Sequence, residues 1–101
     1  MGFKVILSRL AEADLNDVIA FISTDNPAAA IRVAEAIVAH LRVLELFPRF
    51  GRVVPECDQD HLREIIHGAY RVIYLINEID RRIEVARIWH AARGTPEMPS
   101  L

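Results

Sequence analysis

The spacing of apolar residues changes twice along the chain, and each change predicts an element. Residues 3–7, Phe-Lys-Val-Ile-Leu, are apolar and β-branched and predict a short strand. Ser8 then suits a helix N-cap. Beyond it Leu15, Val18, Ile19 and Ile22 step at helical spacing, with Glu12, Asp14 and Asp17 on the other side. Acids in these early turns suit the positive end of the helix dipole. The segment Thr-Asp-Asn-Pro-Ala-Ala breaks the pattern: Asn26 can cap and Pro27 fits the first position of a second helix. Its predicted inner stripe is Ala30, Ile31, Ala34, Ile37, Val38, Leu41 and Leu44, and Pro48 ends it.

The period then falls to two. After a polar loop around residues 48–60, Leu62–His67 predicts a strand, and Gly68-Ala69 a two-residue hairpin turn with glycine first. Residues 70–77 predict a second strand, residues 78–81 a turn, and residues 82–90 a third. The tail from Gly94 is expected to be loose or ordered by a partner. The order β-α-α-β-β-β predicts an α+β fold, a helical hairpin packed on one face of a small, mainly antiparallel sheet. The place of the first strand in that sheet is left open. One domain is expected over residues 1–101.

Alternation across the pleat sorts the strand residues into two faces. With regular pairing, Ile65, Tyr70, Val72, Tyr74, Ile76, Ile83, Val85 and Trp89 lie under the helices. Leu62, Glu64, Ile66, Arg71, Ile73, Leu75, Ala86, Ile88 and His90 lie on the other face, with Arg71 opposite Ile88. No segment is then left over to cover the patch of Ile73, Leu75, Ala86 and Ile88, so a partner chain is expected to do so. The alternative is an outer face that tolerates some apolar residues.

Composition sharpens this. The hydrophobic share is 52% and the mean hydropathy +0.21, high for a small domain, yet no run approaches the roughly 18 residues that span a bilayer. The net charge of −2 argues against broad nucleic-acid binding. Cys57 is alone, which excludes an internal disulfide and a cysteine zinc site and makes the cytoplasm the natural compartment. His40, His61 and His67 lack metal-ligand spacing. Neither a metal nor a cofactor is expected.

Arg71, His90 and Arg93, with Glu64, are the residue types a metal-independent ribonuclease needs: a base, an acid and cations for phosphate. The plainer alternative, which the spacing favours, has Arg71 pairing with Glu64 across the hairpin and His90 capping its strand. Arg82 and Arg87 are expected to form surface pairs with Glu84.

Four stretches carry a resemblance: Asp14–Ile37, Leu44–Arg52, Leu62–Ile76 and Val85–Gly94. Together, and in this order, they resemble the RelE/ParE superfamily of toxins from bacterial type II toxin–antitoxin pairs, closest to the ParE branch. The Asn-Pro start of the second helix, the Pro-Arg-Phe-Gly-Arg loop and the Trp-His-Ala-Ala-Arg-Gly ending are similar to that branch. Ala91 and Gly94 depart from its pattern. The resemblance implies a poison of DNA gyrase, held in a hetero-oligomer by an antitoxin, and no catalytic residues. The partner-binding residues it suggests are Arg71, Ile73, Leu75, Ala86, Ile88, His90 and Arg93, or the helical hairpin. RelE-like relatives cut mRNA on the ribosome, with a site similar to this chain at Arg71 and Arg93. They add basic residues where this chain has Leu62 and Glu64, which argues against RNA cleavage here.

Overall fold

A computed structural model describes residues 2–99. Strand β1 (Lys4–Leu7) leads to helix α1 (Arg9–Asp25) and helix α2 (Pro27–Leu46), followed by β2 (Arg52–Val53), β3 (Leu62–His67), β4 (Tyr70–Asn77) and β5 (Arg82–His90). A single 3-10 turn, Ala91–Arg93, closes β5. The strands form one mixed sheet in the order β1-β5-β4-β3-β2. β1 runs parallel to β5, which places the strand the sequence left open. β2 was expected to be loop; two residues of it pair with β3 at the far edge.

Local chemistry sets the element ends. Ser8 Oγ accepts from the Ala11 N–H at 3.1 Å. Asn26 serves both helices: its N–H closes α1 on Ile22 O at 2.9 Å, and its side chain accepts from the Ala29 N–H at 3.0 Å. At the β3–β4 turn Gly68 takes φ +56°, a conformation that costs glycine little. Tyr74 anchors the loop after α2: its hydroxyl donates to Pro48 O (2.7 Å) and accepts from the Gly51 N–H (2.9 Å). A Cβ at Gly51 would stand 2.5 Å from Glu64 O, so the loop needs glycine there to come this close to β3.

The main core lies between the hairpin and the sheet. Ile37, Leu41 and Leu44 of α2 and Ala11 and Val18 of α1 pack with Val72, Tyr74, Ile76, Ile83, Val85 and Ile88. Ile31 and Val38, expected in the inner stripe, are exposed instead. Asp14, expected to face solvent, is buried.

The sheet departs from regular pairing at one place. Ile73 pairs with Arg87 but Tyr74 with Val85, so Ala86 is an extra residue in β5. This bulge swaps the faces of everything beyond it. Ile88 and His90 turn to the helix side, paired with Val72 and Tyr70, while Trp89 pairs with Arg71 on the outer side. The outer face is also covered from within. Val54 and Leu62 form a second core with Ile73 and Leu75, against which Cys57 and Met98 pack. The expectation of an open apolar patch is therefore corrected: Ile73, Leu75, Ala86 and Ile88 are all buried in this chain. The loop after β2 does the covering together with the tail, which was expected to be loose or ordered by a partner; Pro96 is buried too.

Candidate functional site

Ile73, Leu75 and Ala86 are buried; the other residues singled out by sequence fall into two places, an ion cluster on the outer face of the sheet and a cleft on the helix side.

The cluster is built on Arg71 of β4. Its Nε donates to Glu64 Oε1 at 2.5 Å, and its two terminal nitrogens donate to the two oxygens of Glu56 at 2.8 and 2.9 Å. Glu64 sits on the neighbouring strand, where the β3–β4 register puts it within reach across the sheet. Its other oxygen accepts from Arg52 Nε at 2.8 Å. The Glu64 side chain is fully buried, and its charge is compensated on both sides, as burial demands. The Thr95 hydroxyl adds a 3.3 Å bond to Glu56. The hydrogen bonds from Arg71 hold the Glu56 carboxyl at about 2, well below the usual carboxylate range. The same carboxylate raises the pKa of Arg71 further. Two arginines and two glutamates leave no net charge for a phosphate. The plainer expectation for Arg71, a pair with Glu64, is met.

His90 lies elsewhere. Tyr70 and Arg71 are adjacent in β4 and point to opposite faces, and His90 pairs with Tyr70. The His90 ring meets the Tyr70 ring edge-on at 5.1 Å. Its Nδ1 accepts from the Ala92 N–H at 3.1 Å, the expected cap of the strand end. The bulge thus separates the possible base from the cation that a ribonuclease would pair with it.

Arg93 follows in the 3-10 turn. Its guanidinium stands 4.0 Å from the centre of the Trp89 ring, and Arg87 stands 4.7 Å from the same ring. Trp89 Nε1 donates to Gly94 O at 2.8 Å and holds the turn against the strand. Arg87 is not the surface partner of Glu84 that its spacing suggested. Both Asp14 oxygens accept from it, at 2.7 and 2.9 Å. One of them also accepts from the Ile88 N–H at 3.0 Å. That N–H lies on the edge of β5 beyond the point where β1 stops pairing. Asp14 supplies the acceptor that a neighbouring strand would otherwise give.

Between α1 and this open end of the sheet is a cleft of about 320 Å³. Val18 and Ile88 give it apolar walls, Phe21 and Tyr70 add aromatic ones, and His90, Arg93, Asp14 and Asp17 supply the polar groups. Phe21 is 75% exposed at its mouth. Sequence reasoning missed Phe21, Asp14, Glu56 and Arg52. Phe21 falls outside the apolar stripe of α1, and the others act through partners far along the chain. Among the described residues no group of three His, Cys, Asp or Glu could hold a metal ion. No helix there is long and apolar enough to cross a membrane.

A family model described as the ParE toxin of the type II toxin–antitoxin system parDE matches residues 5–94. No curated protein matches the sequence. Solved structures do resemble the fold. One is a chain of the chromosomal ParDE toxin–antitoxin system of P. aeruginosa, 18% identical with a TM-score of 0.69. The match covers 87% of this chain and 95% of that one. Another is a chain of the RelBE2 toxin–antitoxin complex of Mycobacterium tuberculosis, 21% identical with a TM-score of 0.66. There the match covers 89% of this chain and 99% of that one.

Proposed function

The chain belongs to the ParE family, toxins of type II toxin–antitoxin systems, and from that premise we propose that it acts by protein contact, poisoning DNA gyrase until an antitoxin silences it. What supports this reading over RNA cleavage is the state of Arg71. Phosphate-transfer chemistry needs a cation aimed at the phosphate and a base within reach of the attacking hydroxyl. Here the cation is held by two carboxylates, and the histidine lies across the sheet from it. An RNA phosphate entering the site would have to displace a bidentate pair, the strong kind of charged hydrogen bond. The two structures named above come from toxin–antitoxin pairs, which supports an antitoxin as the second partner.

The test is a supercoiling reaction with purified gyrase, plasmid and the toxin. The reading expects loss of supercoiling and accumulation of cleaved plasmid after detergent treatment, both reversed by the antitoxin. Unchanged supercoiling at toxin concentrations that stop cell growth would refute it.

A further inference from the structure

We infer that the outer side of α2 pairs with the same side of a second copy of this chain, the two helices antiparallel about a two-fold axis that passes between Val38 and Ala39. The inference concerns assembly and does not depend on which target the toxin poisons. Ile31 and Val38 stand two helical turns apart on one side of α2, and they are 59% and 41% exposed. Ala34, Glu35, Val38, Ala39 and Arg42 line a shallow groove along this side. Leu46, at the end of the helix, is exposed too. The core uses the other side of α2, through Ile37, Leu41 and Leu44, so this apolar stripe covers nothing in its own chain.

The charges choose the occupant. Glu35 and Arg42 also stand two turns apart, beside the stripe, and both are exposed. Among the described residues neither has an ion-pair partner within the chain. An antiparallel copy centred between Val38 and Ala39 brings Glu35 level with the partner's Arg42 and Arg42 level with the partner's Glu35. The same axis brings Ile31 level with the partner's Leu46 and sets Val38 close to the partner's Val38. Two-fold interfaces are self-complementary in this way, each contact being made twice. A parallel copy would set Glu35 against the partner's Glu35 and Arg42 against the partner's Arg42, and like charges oppose that.

The size of the contact sets its strength. α2 has 20 residues, about 30 Å of helix at ~1.5 Å per residue. One helix pair of that length lies at the small end of specific interfaces, which bury about 1,200–2,000 Å². The dimer is therefore a reversible one, formed as the concentration rises.

The experiment is sedimentation equilibrium of the purified full chain and of variants at the charge pair. The unaltered chain should pass from 11.4 kDa to twice that mass with increasing concentration. Glu35→Arg and Arg42→Glu each set like charges face to face at both contacts, and each should weaken self-association at least tenfold. An equimolar mixture of the two variants should dimerise again, because each offers the charge that the other lacks. Recovery in the mixture also rules out misfolding as the cause of the loss. A chain that stays at 11.4 kDa up to about 1 mM would overturn the inference and leave the stripe to another partner. A dimer that both single variants leave within twofold of its unaltered strength would overturn it too, since the copies would then meet by another face. Variants that separate singly and stay apart when mixed would refute the antiparallel pairing.

Discussion

Arg71 and Arg93 are both arginines at the β4–β5 end of the molecule, yet the fold treats them in opposite ways. Arg71 is 11% exposed in its side chain and is held by Glu56 and Glu64. Arg93 is exposed, lies over an indole, and borders the cleft beside α1. A buried arginine needs its countercharges inside the chain; an exposed one can wait for them from outside. The first is thus an element of stability and the second a candidate for recognition. Residue type alone does not separate the two roles, but surroundings do.

The contrast can be broken from the closed side first. Glu64→Ala removes the buried carboxylate between Arg52 and Arg71 and leaves Arg71 with the more exposed Glu56 alone. The expected loss is about 3 kcal/mol, read by urea unfolding; a loss under ~1 kcal/mol would mean Glu64 holds nothing together. Next, Tyr74→Phe leaves the buried Gly51 N–H without its acceptor. This should cost about 1–3 kcal/mol by the same measurement.

Acid tests the cluster more gently. Glu56 has its carboxyl depressed to about 2 in the folded chain, from 4.5 for the free group. A depressed acid stabilises the fold above its free value, and that contribution is lost as the pH falls through the folded one. The stability gap between the unaltered chain and Glu56→Gln should therefore hold from neutral pH down to about 5, then close toward pH 2. Glu56 is 36% exposed, so solvent screening keeps this gap to about 1 kcal/mol or less. A gap that does not change with pH would show that the Glu56 charge contributes nothing. On the open side, Phe21→Ala should shift stability by no more than ~0.5 kcal/mol, because Phe21 is 75% exposed. A larger loss would make Phe21 part of the core rather than of a docking surface.

What could be read along the chain and what could not divide by range. The caps at Ser8 and Asn26, the turn at Gly68 and the limits of β3, β4 and β5 were legible, because each is a local choice of a few residues. The bulge at Ala86 was not. No residue type marks it, and it adjusts β5 to neighbours that lie far away in sequence. That one insertion reversed the faces of Ile88, Trp89 and His90 and separated His90 from Arg71. Asp14 was misread for the same reason: as an acid in an early turn it looked solvated, but its partner Arg87 is 73 residues away. The covered outer face was missed because the loop after β2 and the tail carry few apolar residues. Val54 and Met98 suffice, placed where the sheet needs them.

On the proposed reading the two carboxylates at Arg71 keep phosphate out, and the toxin leaves RNA uncut. Ribosomes programmed with a defined mRNA, incubated with the purified protein and followed by primer extension, test it directly. The expected result is full-length product at every toxin concentration, as in the mock reaction. A new stop within the ribosome-bound codon, growing with toxin and abolished by Arg71→Ala in a variant that still folds, would contradict it.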